Sequence, residues 1–304
     1  MASMRQDPSH RPGPVQVGRS RAGDAVPEPG VPPRFLSVIV PAKNEAASLP
    51  ELVGEIARAL RPLRGERQGE RLGGFEIVVV DDGSTDATPE VLRTLAEDYP
   101  ELRPVRLRAN VGQSAATAAG FRAARGDWVA TLDADLQNDP ADLANLWDAL
   151  PGHDAALGWR VKREDVWSKR VISRWANRVR NKVLGQSIRD TGCSVRVFPR
   201  DAALRLPVFR GCHRFFGPLL LREGCSVVQV PVAHRPRPHG VSHYNIWNRS
   251  VRVVVDLFGV AWLMRRDARY EVASAGAPAA VEPPSSAVPE PHRGRRVVGR
   301  NQEA

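Results

Sequence analysis

Three runs of seven residues, FLSVIVP at 35–41, FEIVVVD at 75–81 and DWVATLD at 127–133, set the strongest limit on what this chain can fold into. A strand with one wet face alternates apolar and polar residues, whereas these runs are apolar at nearly every interior position. Such strands are buried on both faces, the condition of a parallel sheet covered by helices. The sequence between them supplies the helices. Leu49, Leu52, Val53, Ile56 and Leu60 recur at helical spacing after the first run. Val91, Leu92 and Leu95 do so after the second, with Thr85 or Asp86 placed to cap that helix. A shorter strand at 104–108 and an Ala-rich helix at 113–124 follow, then a helix after Pro140. Beyond these come a helix at 167–184, a strand at 194–198, a helix near 213–223 and a strand at 226–232. The expectation is an α/β fold with a mostly parallel sheet flanked by helices.

Composition bounds the folded part. Residues 1–34 and 271–304 are rich in Pro, Gly and charge and poor in large apolar groups. They cannot bury enough surface to offset the entropy of ordering, and are expected to be disordered tails. This leaves a main domain at 35–245 and an apolar, charge-interrupted helix at 246–270. Net charge is +10, and residues 160–182 carry nine Lys/Arg against two acids. A local excess of that kind points to an anionic partner such as a phosphate or an acidic headgroup, unless it is simply a solvated basic helix. Cys193, Cys212 and Cys225 are odd in number and lack CxxC spacing, which suggests a reducing compartment and no disulfide framework. The first residues hold no apolar stretch, and no run reaches the roughly 18–20 apolar residues that span a bilayer. The expectation is a cytoplasmic or peripheral protein.

In open α/β sheets, ligands lie beyond the carboxyl ends of the strands, so the loops that follow the apolar runs are where chemistry is expected. The second run ends in DDGSTD (81–86). Ser84, Thr85 and Asp86 read as a turn and helix cap, but adjacent Asp81 and Asp82 repel and need compensation, so Asp82 is a candidate acceptor for a base or ribose. The run at 127–133 leads into DADLQNDP (133–140). Asp133 and Asp135, with the amide of Gln137, are hard oxygen ligands suited to Mg²⁺ or Mn²⁺, whose remaining positions go to substrate phosphates. A cation there would neutralise charge on a departing nucleotide diphosphate. No GxGxxG follows the first strand and no GxxxxGK[ST] occurs anywhere, which removes support for dinucleotide and P-loop binding.

PAKNE (41–45), VVVDDGSTD (78–86), NVGQ (110–113) and DADLQNDP together resemble glycosyltransferase family 2, a family with the GT-A fold. GWR (158–160), RDTGCSVRVFPR (189–200) and HRPRPHGVSHY (234–244) resemble its polyprenyl-phosphate branch, typified by dolichyl-phosphate mannose synthases. The resemblance spans about 35–265 and implies inverting transfer from a nucleotide sugar, GDP- or UDP-linked, to a polyprenyl phosphate. By position it implies Pro41, Lys43, Glu45, Val80 and Asp82 around the nucleoside. Asp133, Ala134, Asp135 and Gln137 fall at the metal and diphosphate, and Arg237 and His243 on the closing loop over the donor. Arg160, with Lys169 or Arg170, falls at the acceptor phosphate. Two positions depart from the family pattern. Lys43 stands where an aromatic is usual, which weakens base stacking, and His243 stands where a Lys is usual, which makes a phosphate contact pH-sensitive if the imidazole binds as a cation.

An ionised phosphate acceptor needs no strong general base, so positioning and charge neutralisation are the expected tasks. The alternative casts Asp135 or Asp190 as a base. The helix at 246–270 suits the headgroup region of a membrane, with Trp247 and Trp262 at the interface, or else packs on protein. A membrane-protein partner that docks the enzyme stays open. Competing readings are a family 2 enzyme acting on a soluble glycan or protein, and a non-catalytic nucleotide- or membrane-binding partner. Nucleic acid is not expected as a partner, because the basic residues lack aromatic interleaving and no recognition motif occurs.

Overall fold

The computed structural model describes residues 15–17, 34–63, 65–67, 70–161, 180–185, 187–236, 238 and 246–266. The strands in chain order are β1 (Val15–Val17), β2 (Arg34–Ala42), β3 (Gly65–Arg67), β4 (Glu70–Asp81), β5 (Leu102–Arg106), β6 (Trp128–Thr131), β7 (Ala155–Arg160), β8 (Arg196–Pro199) and β9 (Val227–Val232). The helices are α1 (Leu49–Leu60), α2 (Thr88–Asp98), α3 (Gln113–Ala123), α4 (Asp142–Asp148), α5 (Arg200–Arg205), α6 (Phe216–Arg222) and α7 (Ile246–Arg265). One sheet runs β1-β9-β7-β8-β6-β2-β4-β3, with β5 beside the carboxyl half of β4.

The apolar runs become central strands because both of their faces are covered. Successive residues alternate between two cores: Val38, Val40, Ile77 and Val79 face α1, α2 and α4, whereas Ile39, Val78 and Val80 face α3, α5, α6 and α7. Register then sets the site. In β2 and β4, parallel neighbours, Ala42 lies opposite Asp81, and Ile39 of β2 lies opposite Thr131 of β6. The chain therefore leaves all three strands along one edge, with Lys43, Asp82 and Asp133 just beyond it.

The structure departs from the expectations in several places. Val15–Val17, within the expected tail, pair antiparallel with β9. β7 was not evident in the sequence, and β8 runs antiparallel to both β6 and β7, which makes the sheet mixed on that side. α2 begins at Thr88, later than a cap at Thr85 or Asp86 implies, yet Asp86 Oδ1 still accepts the Thr88 N–H at 3.0 Å. The expected helix at 113–124 is α3, and the helix near 213–223 is a 3-10 turn at Cys212–Phe215 leading into α6. Of the basic helix at 167–184, residues 180–184 are helical and the rest lie outside the described residues.

Candidate active site

The nucleoside end of the cleft is built where β2 and β4 stop. Asn44 takes a positive φ of 55°, which Asn tolerates better than most residues. Its backbone N–H donates to Ser84 Oγ and its side-chain oxygen accepts the Thr85 N–H, each at 2.9 Å, so the PAKNE and DDGSTD loops are tied together. The repulsion between Asp81 and Asp82 is compensated residue by residue. Asp81 accepts the Ser84 N–H at 2.8 Å and faces Arg106 at 3.3 Å. Asp82 accepts the Val111 and Gly112 N–H groups at 2.8 Å and the Asn110 side-chain amide at 3.2 Å. Asp82 thus staples the 110–112 loop to the strand end, and three of about four acceptor positions on its carboxylate are used. Gly83 (φ 66°) makes the turn possible, because a Cβ there would lie 2.6 Å from the Asn110 backbone nitrogen.

Pro41 and Glu45 are partly exposed and Lys43 is exposed at this end. Glu45 accepts the Ser48 hydroxyl at 2.6 Å. Val80 is fully buried in the second core, against the face of α3 at Gly120, so any contact with a nucleoside falls to its backbone. Ala134 is also buried, so only its backbone can meet a donor.

Beyond β6, burial alternates: Asp133, Asp135, Gln137 and Asp139 are partly exposed, and Ala134, Leu136 and Asn138 are buried. Leu136 holds a φ of 60°, a costly conformation for a branched side chain that fixes the loop. Asn138 donates to Ser194 at 2.9 Å, and the Arg235 N–H donates to the Gln137 carbonyl at 2.8 Å. The Arg235 guanidinium bridges Glu55 of α1 (2.8 Å) and Asp139 (2.9 Å), bolting the acidic loop to the helical layer. Burial pushes the Asp133 carboxyl up and nearby Asp135 adds to this, while Ser194, Arg196 and Arg160 draw it back. A buried carboxylate beside a second one fits a divalent cation, which would relieve the repulsion on Asp133. Among the described residues no group of three His, Cys, Asp or Glu converges on a metal position. A cation here would complete its shell with phosphate oxygens, as Mg²⁺ commonly does.

On the far side of Asp133 lies a cleft of about 260 Å³. Its walls carry Asp133, Asp190, Arg180, Arg196, His213 and Arg214. Arg160 lies next to it in a two-pronged pair with Asp190, Nε to Oδ2 at 2.7 Å and Nη2 to Oδ1 at 3.0 Å. Arg196 is buried, donates to the Thr191 carbonyl at 3.1 Å and stacks 5.4 Å from the Phe216 ring. Burial pushes the Cys193 thiol up to about 12, with Asp190 adding to the shift, so it packs as a neutral group. Gln113 Nε2 donates to Asp133 Oδ1 at 2.8 Å and ties α3 to the acidic loop. His213, Arg214, Ser194 and Gln113 were not evident as site residues. Gln113 and Ser194 lay inside the NVGQ and RDTGCSVRVFPR motifs without being singled out, and the signal for His213 and Arg214 was a cationic pair ahead of an apolar helix, some 80 residues from Asp133. Lys169, Arg170, Arg237 and His243 lie outside the described residues.

An open, mostly parallel sheet with an acidic loop beyond β6 and the Asp82 loop beside it at the same edge is the arrangement of a glycosyltransferase of the GT-A class. The chain belongs to glycosyltransferase family 2, whose family model (Glycosyl transferase family 2) matches residues 37–206. It is 36% identical over 242 residues to a dodecaprenyl-phosphate galacturonate synthase of Rhizobium johnstonii, covering 77% of this chain and 68% of that one. It is also 36% identical over 230 residues to an undecaprenyl-phosphate 4-deoxy-4-formamido-L-arabinose transferase of Edwardsiella ictaluri, covering 74% and 67%. A mannosyltransferase from Pyrobaculum calidifontis, solved with GDP-Man and Mn²⁺, aligns with TM-score 0.54 and 26% identity over 81% of this chain and 68% of that one. The glucosyl-3-phosphoglycerate synthase of Mycobacterium tuberculosis shares the fold at TM-score 0.54 and 19% identity, over 75% and 80% of the two chains.

Proposed function

We propose that the chain moves a glycosyl group from a GDP- or UDP-sugar to a polyprenyl phosphate, with inversion at the anomeric carbon. The observation that carries this reading is the meeting, in one cleft, of the Asp133 carboxylate with Arg180, Arg196 and Arg214. Such a cleft suits two phosphate-bearing substrates that must approach each other. The two polyprenyl-phosphate enzymes among the relatives, and the bound GDP-Man and Mn²⁺ in the mannosyltransferase, support it.

Asp133, Asp135 and Gln137 would hold Mg²⁺ or Mn²⁺. When bound, the ion supplies Lewis-acid neutralisation of charge on the departing nucleoside diphosphate. Pro41, Lys43, Glu45 and Asp82 surround the nucleoside, while the Ala134 backbone and the Asp133 and Asp135 side chains meet the diphosphate. An acceptor phosphate oxygen bonds to the anomeric carbon as the bond from that carbon to the diphosphate oxygen breaks. The phosphate is already ionised near neutral pH, so no side chain has to remove a proton, and the protein's task is alignment and charge balance. Arg160, held by Asp190, would contact the acceptor phosphate. Lys169, Arg170, Arg237 and His243 keep the phosphate roles that family membership suggests. The enzyme works peripherally on the cytoplasmic face of a membrane, with or without a membrane-protein partner. Among the described residues no helix is long and apolar enough to cross a bilayer.

Purified protein with Mn²⁺ or Mg²⁺ is expected to move label from one member of a nucleotide-sugar panel to undecaprenyl phosphate. Asp135→Asn is expected to lower turnover about 1,000-fold, the scale of losing a main electrostatic stabiliser, while circular dichroism and Tm stay in place. Full turnover in that variant, or in excess chelator, would end the metal-dependent reading.

A further inference from the structure

The acidic loop beyond β6 carries three carboxylates and an amide on its partly exposed side, Asp133, Asp135, Gln137 and Asp139. Asp139 stands apart from the rest by its contacts. Its Oδ1 accepts the Ala141 N–H at 3.0 Å and its Oδ2 meets Arg235 Nη2 at 2.9 Å, so both oxygens are engaged in holding the loop. Between Asp135 and Gln137 the chain passes through Leu136, whose φ of 60° is strained for a branched side chain. Such a residue persists only where its surroundings over-determine it. The ties come from the three residues that follow. The Gln137 carbonyl accepts the Arg235 N–H at 2.8 Å, the Asn138 amide donates to Ser194 Oγ at 2.9 Å, and Asp139 pairs with the Arg235 guanidinium. Two of those three ties come from one residue.

Arg235 is itself fixed from two directions. It follows the end of β9 closely, and just before it the Ala233 N–H donates to Asp142 Oδ2 at 2.6 Å, where α4 begins. Its Nη1 meets both oxygens of Glu55, at 2.9 and 2.8 Å. Glu55 lies on α1, whose Leu52, Val53 and Ile56 are fully buried in the core on that side of the sheet. The guanidinium therefore spans from a packed helix to the loop. A planar fork can serve two carboxylates at once in a fixed geometry, which an ammonium on a flexible stem does not reproduce.

Resting on the metal role proposed above for Asp133, Asp135 and Gln137, we propose that Arg235 is a positioning residue for the cation. It ties the loop to α1 and β9, and so holds the ligands on either side of Leu136 in one geometry. Asp139, although on the same side of the loop as the ligands, serves as the anchor point for Arg235 and not as a further ligand. Order that is preset by the protein need not be imposed by the ion, so the anchor is read out as metal affinity.

The test is calorimetric titration of Mn²⁺ into the full chain with GDP or UDP present, for wild type, Arg235→Met, Arg235→Lys and Glu55→Gln, with circular dichroism and Tm reporting the fold. Charge and anchoring act differently on these variants. By charge alone, removing the Arg235 cation would tighten Mn²⁺ binding and removing the Glu55 anion would loosen it. By anchoring, both changes loosen it, since each cuts the same bridge. Arg235→Met is expected to raise the Mn²⁺ Kd about 10- to 100-fold, the scale of losing a residue that orients metal ligands from outside, and Glu55→Gln is expected to raise it too. Arg235→Lys keeps the charge without the fork and is expected to fall between wild type and Arg235→Met; it stands in if the Met variant fails to fold. An unchanged or lowered Kd in folded Arg235→Met, in Arg235→Lys where that stands in, or in Glu55→Gln overturns the proposal. Wild-type protein that takes up no Mn²⁺ with either nucleotide overturns the metal role itself, and this positioning role with it.

Discussion

Glu76, on β4 away from the cleft, is only 5% exposed and carries a network that joins three segments. It accepts the Ser37 hydroxyl at 2.6 Å, the Arg125 N–H at 2.7 Å and Arg103 Nε at 2.9 Å, and Ser37 in turn accepts the Gly126 N–H at 2.9 Å. Burial alone would raise this carboxyl, but the bonds from Arg103, Ser37 and Arg125 hold it below its ordinary 4.5. A carboxyl depressed in the folded state adds stability above its unfolded value, and that stability is lost as pH falls through the folded one. Glu76→Gln is therefore expected to cost about 1–3 kcal/mol at pH 7, read from the urea midpoint, with the gap to wild type closing as pH drops below about 4.5. A gap that stays constant down to pH 3 would mean that the charge is irrelevant. Sequence pattern exposed some residues of this kind and hid others. Asp133, Asp135 and Gln137 were legible because alternation in a short loop after a buried strand leaves few structural uses for three oxygen-bearing side chains. Asp82 was legible as a special position, though its bonds to the 110–112 loop were not, since they depend on a contact about 30 residues away. The burial of the Val80 side chain was not legible, because a motif gives position in a sheet without saying which face the side chain takes.

At the scale of elements, α3 shows propensity and packing in opposition. It is Ala-rich and carries Gly120 in its middle, where Ala would favour the helix by about 1 kcal/mol. Yet a Cβ on Gly120 would overlap Ile39 Cγ2, a methyl on a fully buried β-branched side chain, and lie 3.2 Å from Val80 Cγ2. Close approach of helix to sheet is what this glycine permits, and the same helix carries Gln113 and Thr117 to the cleft. Gly120→Ala is expected to lower stability by about 1–3 kcal/mol, because overpacking against a rigid strand outweighs the gain in propensity. A rise in Tm would show that Ile39 can move aside. The same balance explains which elements were legible. The strands at 35–41, 75–81 and 127–133 and the α1 periodicity announce themselves, since burial on a fixed period leaves a pattern in one dimension. β7 does not: Ala155, Ala156 and Gly158 have weak strand propensity, and Gly158 is required because a Cβ there would lie 2.9 Å from Val232 and 3.0 Å from Cys193 Sγ. The reversed direction of β8 was equally hidden, since an apolar strand reads the same in a parallel or an antiparallel pair.

Across the whole molecule, the remaining asymmetry is in α7, which is apolar on two faces. Leu257, Val260 and Ala261 pack into the second core, while Val254, Val255, Phe258 and Trp262 stay 51–64% exposed. The Arg266 guanidinium lies 5.5 Å from the Trp262 ring, so a cation closes the exposed apolar strip at its carboxyl end. Four large apolar side chains in a row on one helix form the type of patch that soluble surfaces rarely keep without a use. The lipid surface proposed above would give this patch a use. The acceptor's prenyl chain has to remain in a bilayer while its phosphate enters the cleft, and Asp256 of this same helix lies against the Gly211 turn that lines it. Net charge of +10 adds attraction to anionic headgroups. The protein is therefore expected to co-sediment with vesicles containing anionic lipid, less so in high salt. Each large side chain that enters the apolar boundary is worth about 1.5–3 kcal/mol, so Val255→Glu with Phe258→Glu is expected to lower the partition coefficient by well over 10-fold. Transfer to a short, water-soluble prenyl phosphate should stay within about twofold of wild type in that double variant, while transfer to undecaprenyl phosphate in vesicles falls. Undiminished vesicle binding in the variant would assign the strip to a protein contact, and sedimentation equilibrium would then show whether a second copy of the chain covers it.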